Sequence, residues 1–179
     1  MKLNSLLAHC ATTLSLALLT ACSPSAEDVS TPTKSEAVEG IRLLDTKPAE
    51  ALPVKLAKAT LNPGDAAVIF GQVGGAREPF LEGYAGFIIG DTDLVYCDEM
   101  GDDDHCATPW DACCEDPDKV KASRASVTFV DAEGNVIPSG MQGFAGIQGL
   151  SEVFIEGTVS QTSTPENLII EATGLYVQK

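Results

Sequence analysis

Cations are scarce in this sequence. Eleven Lys and Arg stand against 26 Asp and Glu in 179 residues, a net charge of −15. Nowhere do the basic residues cluster as they must to displace counterions from a nucleic acid, so DNA and RNA are excluded as partners. Aromatic residues make up only 6% of the chain, with a single Trp, and a stacking platform for single strands is missing too. No series of long apolar runs marks a multi-span membrane protein. Histidine is nearly lacking: His9 and His105 are the two in the chain, which leaves hardly any base for Ser–His–Asp or Cys–His chemistry. There is no C-x-x-C pair. The one glycine-rich turn, Gly74-Gly75-Ala76-Arg77-Glu78-Pro79-Phe80, fits neither a P-loop nor a dinucleotide fingerprint. It reads as a connection between strands in which Arg77 is expected to pair one of the acids. With no catalytic constellation in view, the expectation is a protein that is not an enzyme and needs no cofactor.

What is present is ordinary for a folded domain: 44% hydrophobic and 21% charged residues suffice for one globular core. The chain opens with a leader. Lys2 supplies positive charge, Leu6, Leu7, Ala8 and residues 14–19 an apolar stretch, and Leu19-Thr20-Ala21-Cys22 a cleavage box ending in cysteine. Residues 1–21 therefore read as a secretory signal, too short for a permanent span. The box resembles that of bacterial lipoproteins, and the resemblance implies acyl chains on Cys22 that fasten the mature protein to a bilayer. Two or three chains, at about 0.8 kcal/mol per buried CH₂, anchor stably where a single one does not. Ser23 after the cysteine points to the outer membrane of a diderm envelope, facing the periplasm or the surface. Cleavage removes Lys2 and no acid, taking the charge from −15 to −16. Such a surface is repelled by anionic headgroups, which leaves anchoring to the lipid.

Residues 22–63 follow as a stalk. They hold Pro24, Pro32, Pro48, Pro53 and Pro63, half of the ten prolines, and the first part reads as disordered. Some 35 flexible residues reach about 30 Å. The segments Ile41-Arg42-Leu43-Leu44 and Val54-Lys55-Leu56 are apolar enough to dock on the domain instead, and pattern alone does not decide between the two.

The domain proper is expected over residues 64–179. Residues 66–73 (AAVIFGQV) and 84–90 (YAGFIIG) are compact apolar runs bounded by turn residues, and 125–129 alternates cleanly before a turn at 131–135. Val153, Ile155, Gly157 and Val159 line one face of a fourth strand. Leu168, Ile170 and Ala172 do so in a fifth, with a glycine bulge at Gly174 that hands the apolar set to Leu175 and Val177. Met141, Phe144, Ile147 and Leu150 recur every three residues, as a short helical plug requires. Five strands with a helix after the third describe a mainly β fold, a small five-stranded antiparallel barrel of OB type.

Between the second and third strands runs a loop over residues 94–121. It holds Cys97, Cys106, Cys113 and Cys114, together with Trp110 and His105. Nine acids lie between Cys97 and Lys119, among them Asp98, Asp102, Asp103, Asp104 and Asp111. A loop of this length needs fastening. Four cysteines in an exported chain favour two disulfides. Pairing of the neighbours Cys113 and Cys114 is strained, and the other two connectivities stay open. Closing some 15 residues stabilises by up to about 3 kcal/mol in the chain-entropy picture, enough to hold a self-repelling segment, with Trp110 as the natural lid over the sulfurs. The alternative is a metal held by Cys97, Cys106, Cys113 and Cys114 with His105 in reserve, against which the C-x₈-C-x₆-C-C spacing differs from the usual C-x₂₋₄-C pairs. The acids lack the spacing of a calcium loop.

The pattern Gly71-x-Val73-Gly74-Gly75, Pro79-Phe80, Cys97 and Thr108-Pro109-Trp110-Asp111-x-Cys113-Cys114 resembles a group of uncharacterised bacterial lipoproteins and secreted proteins with a TPWDxCC motif and an OB-like domain. The resemblance covers residues 65–177 and implies no particular activity, cofactor or partner. The expectation from sequence is thus a lipid-anchored envelope module, binding or structural, that shows the loop 98–118 to a protein or carbohydrate partner. Trp110, Asp111, Asp102, Asp103 and Asp104 are the candidate contacts, and a cationic partner is what the charge favours.

Overall fold

A computed structural model describes Val38, residues 40–101 and residues 106–179. The expected signal at 1–21, the lipidation site Cys22, and the loop residues Asp102, Asp103, Asp104 and His105 lie outside the described residues.

The fold is mainly β. Strands β1 (Arg42–Leu43) and β2 (Leu52–Pro53) are two residues each, and helix α1 (Val54–Thr60) follows. Then come β3 (Ala66–Val73), β4 (Gly86–Gly90), a second helix α2 (Pro117–Ala122), β5 (Arg124–Phe129), β6 (Glu152–Val159) and β7 (Leu168–Val177). All five strands read from the alternation of the sequence form, each within two residues of its expected bounds. The plug between the third and fourth of them is a three-residue 3₁₀ turn, Phe144–Gly146, entered through left-handed Gly143. Met141, Phe144 and Ile147 are buried in and beside this turn, while Leu150, the fourth of the expected set, is half-buried.

The pairings run in a cycle. β3 lies antiparallel to β4 and to β6, β4 antiparallel to β5, β5 parallel to β7, and β7 antiparallel to β6. The sheet is therefore mixed, where an antiparallel one was expected: the β6–β7 return lays β7 beside β5 in the same direction. β1 and β2 add two further parallel pairings, on β7 and β3. The expected bulge is present where β7 passes Glu156 and Gly157 of β6. The partner of Glu156 is Gly174 and that of Gly157 is Ala172, so Thr173 is the extra residue. From there the buried set changes from Leu168, Ile170 and Ala172 to Leu175.

The core is built from Ile69, Phe87, Ile89, Val127, Phe129, Ile155 and Ile170, all buried. Phe87 and Phe129 meet at 5.9 Å in a tilted pair, a geometry favoured by ring quadrupoles.

The boundary expected at residue 64 moves. Val54 and Ala57 of α1 belong to the same core as β3 and β5 and are both 0% exposed. The buried carboxylate of Asp91, just past β4, accepts a hydrogen bond of 2.8 Å from the Lys55 N–H, satisfying one of the orphan donors at the helix start. The region from Arg42 to Pro63 is thus part of the folded domain, and proline there shapes turns and the start of α1 instead of a free stalk. If α1 is core, Val54→Ala should cost about 2 kcal/mol of unfolding free energy, while Leu56→Ala, at a 46% exposed position, should stay within about 0.5 kcal/mol. Urea denaturation of the two variants measures this, and equal small effects would restore the stalk reading.

Candidate functional site at the cysteine loop

The loop between β4 and β5 is fastened to the sheet by backbone before any sulfur is involved. Gly74, at the end of β3, and Gly75, in left-handed conformation with φ +73°, lie directly against Trp110. The Gly75 N–H donates to the Trp110 carbonyl oxygen at 2.9 Å. A Cβ on Gly74 would collide with that same oxygen, so the approach exists only because no side chain is there. On the other side of the loop Tyr96 is buried, and its hydroxyl donates to the Asp91 carbonyl at 3.0 Å. Gly90 leaves the room for that hydroxyl. Burial, and after it the charge of Asp91, hold the Tyr96 phenol above its ordinary range.

Between these two anchors the chain folds back on itself. The Cys97 N–H donates to the Asp111 carbonyl at 2.8 Å and the Asp98 N–H to the Pro109 carbonyl at 3.1 Å. This short ladder brings Cys97 alongside the TPWDxCC segment. The sulfurs then meet: Cys113 Sγ is 3.4 Å from Cys97 Sγ, 3.8 Å from Cys106 Sγ and 3.9 Å from Cys114 Sγ. The sulfurs of Cys97, Cys106 and Cys113 all lie within 4.8 Å of one another. Cys97 is buried and Cys113 exposed, so the cluster runs from core to solvent. Burial first, and hydrogen bonding with Cys113 next, push the Cys97 thiol up from its ordinary value.

Trp110 is seated on two neighbouring segments. Its indole Nε1–H donates to the Arg77 carbonyl at 3.0 Å. Its ring fills the space over Gly149, where a Cβ would come within 2.5 Å of Cε3. The indole clamps the loop to the β3–β4 connection and to the turn before β6. The Asp111 carboxylate turns back to its own chain, accepting from the Ala112 N–H at 2.8 Å.

Further along, Asp116 caps α2 by accepting from the Asp118 and Lys119 N–H groups. Asp-Pro at the cap and first position is a helix start legible in the sequence, though it was not read as one. On α2, Lys119 reaches Glu115 at 2.6 Å, and that ion pair holds the Glu115 carboxyl below and the Lys119 ammonium above their usual ranges. The expected ion pair of Arg77 is not made: among the described residues no carboxylate oxygen lies within 4.0 Å of it. Of the basic residues sequence reasoning passed over, Lys121 and Arg124 come to stand with Arg77 beside Cys113.

Comparison with known protein families, with curated proteins and with solved structures gave no match.

The seating of Trp110 is open to a direct check, since it is the chain's only tryptophan. Gly149→Ala should red-shift its emission and destabilise by about 1–3 kcal/mol, the usual range for overpacking. Gly140→Ala, where a Cβ meets nothing within 4 Å, should leave both spectrum and stability in place.

Proposed function

We propose that this chain is a lipid-anchored module of the bacterial cell envelope that binds or scaffolds and does not catalyse. In this reading it stands on the outer membrane through acyl chains on Cys22 and belongs with the TPWDxCC lipoproteins it resembles. The cyclic order β3–β4–β5–β7–β6, with β5 and β7 parallel, supports taking the sheet as a small barrel of OB type, whose loops carry binding sites. Fold likeness names no ligand. The observation that carries the reading is the meeting of the cysteine sulfurs at the base of a loop already docked by Trp110 and Tyr96. A hydrophilic excursion fixed this firmly is a surface kept for recognition by a protein or carbohydrate.

In an oxidising compartment the sulfurs would close two disulfides, with Cys97–Cys113 and Cys106–Cys114, or Cys97–Cys114 and Cys106–Cys113, as the unstrained connectivities. A second reading has a specific observation in its favour. Sulfur separations of 3.4, 3.8 and 3.9 Å around Cys113 far exceed the about 2.05 Å of a disulfide. They approach the about 3.8 Å edge of a tetrahedron with metal–sulfur bonds of about 2.3 Å. Cys97, Cys106 and Cys113, with Cys114 next in reach, would then hold zinc or copper(I), soft ions suited to thiolate.

Two measurements test the proposal. Intact mass of the mature protein should be about 4 Da lower without reductant than with it if two bridges form; native mass spectrometry showing one bound metal on unbridged cysteines would establish the second reading instead. Cys22→Ala should move the protein from the membrane fraction to the soluble envelope fraction. Retention in the membrane would overturn the lipid anchor.

A further inference from the structure

A cleft of about 340 Å³ opens beside the sulfur cluster, between the β3–β4 connection, the cysteine loop and α2. Its floor is apolar or backbone: Gly75, Ala112, Pro117 and Val120. Three cations, Arg77, Lys121 and Arg124, stand around it. Lys121 and Arg124 stand three residues apart where α2 gives way to β5, while Arg77 is more than forty residues earlier and is brought to them by the fold.

Among the described residues Arg42, Lys47, Lys55 and Lys119 each form an ion pair with a carboxylate, whereas Arg77, Lys121 and Arg124 form none. That is unexpected in a chain with more than twice as many acids as bases. Two acids also line the cleft, neither within 4.0 Å of the three cations: Glu115 pairs with Lys119, and Asp111 accepts from the Ala112 N–H. A fourth cation backs the group. The Lys58 ammonium donates to the carbonyls of Lys121 at 2.6 Å and Glu166 at 2.8 Å. Burial, then the neighbouring charges of Arg124 and Lys121, hold it below its ordinary value. Like charges crowded at one place while acids are plentiful repel one another, and an anion seated among them relieves that repulsion.

We propose that this cleft is a binding site for a small multivalent anion, of the phosphate or tricarboxylate class, gripped by Arg77, Lys121 and Arg124. The guanidinium groups offer paired N–H donors to the oxygens of such a group and the ammonium a point charge. The volume suits a ligand of a few to about twenty heavy atoms. The proposal rests on the binding-module reading and names its ligand. It reverses the charge expected of the partner, since the cationic wall lies at the base of the acidic loop.

The test is calorimetric titration of the mature chain with citrate and with inorganic phosphate at low ionic strength, glycerol serving as the uncharged control. Citrate or phosphate should bind one per chain and glycerol not at all. Arg77→Gln and Arg124→Gln should each weaken binding at least tenfold. Lys47→Gln, which removes a charge outside the cleft lining, in an ion pair with Glu152, should leave the affinity within about twofold. No binding of either anion at millimolar concentration, or an equal loss in Lys47→Gln, overturns the proposal. Arg77 and Arg124 are exposed, so unfolding of the variants is not expected, and Trp110 emission reports it if it occurs. A null titration leaves the anchored, cysteine-pinned module standing, while failure of the mass or membrane tests leaves the titration readable.

Discussion

Everything at the cysteine loop depends on how closely two stretches of backbone approach: the Trp110 carbonyl lies in the volume that a side chain on Gly74 would occupy. Two consecutive glycines at the end of β3 create that space, and the Gly75 N–H fills it with a hydrogen bond to the same oxygen. Gly149 performs the matching service for the indole ring, and Gly90 for the Tyr96 hydroxyl. Three close approaches without a Cβ between them convert a long polar connection into a layer of the domain. The loop needs this because it buries little apolar surface of its own and its acids repel one another. Among its described residues Leu94, Tyr96, Cys97 and Ala112 are the buried side chains, and by area alone they offset only part of the ordering cost of the remainder.

The cysteines therefore act on a chain whose path is already set. In the chain-entropy view a crosslink stabilises by restricting the unfolded ensemble, and it does so without strain only where the native state already holds the partners close. Docking at Trp110 and Tyr96 together with the ladder at 97–98 and 109–111 supplies that closeness. The same closeness suits a thiolate set for a soft metal, which demands sulfurs gathered at similar separations before the ion arrives. Both readings of the cluster thus rest on glycine packing several residues away.

The strands were legible because each buries one face or both, and burial imposes a period of two on the residues that carry it: residues 125–129 and 168–172 could hardly be read otherwise. The bulge near Gly174 was legible for the same reason, as an interruption of that period. Helix α1 was not, because it touches the core through Val54 and Ala57 alone, and two positions three apart are too short a pattern to compete with the prolines around them. The strand directions were missed in part, since alternation shows which residues point inward but carries no information on which neighbour a strand selects. At the site, the gathering of cysteines was foreseen from their number and the expected compartment, while the docking of Trp110 on Gly149 and the Arg77 carbonyl was not. Its partners, Gly149 and the Arg77 carbonyl, are a residue without a side chain and a backbone atom, and neither leaves a mark in composition. The cationic cleft was invisible for another reason. Lys121 and Arg124 are neighbours at the junction of α2 and β5, but Arg77 lies in the β3–β4 connection, and only the closure of the chain brings it to them.

That cleft and the acidic exterior have to be considered together. A surface of net charge near −15 repels anions at long range, but at physiological salt the repulsion decays over about 8 Å. Inside that distance the local cations dominate, and the low-polarity floor of Pro117 and Val120 strengthens their field. A small anion crosses the repulsive zone and is then held. A long polyanion, most of whose charge must stay outside the cleft, continues to face the acids. The same arithmetic that argues against a nucleic-acid partner therefore leaves room for a compact anion, and the scarcity of cations in the sequence gives their concentration at this place its meaning.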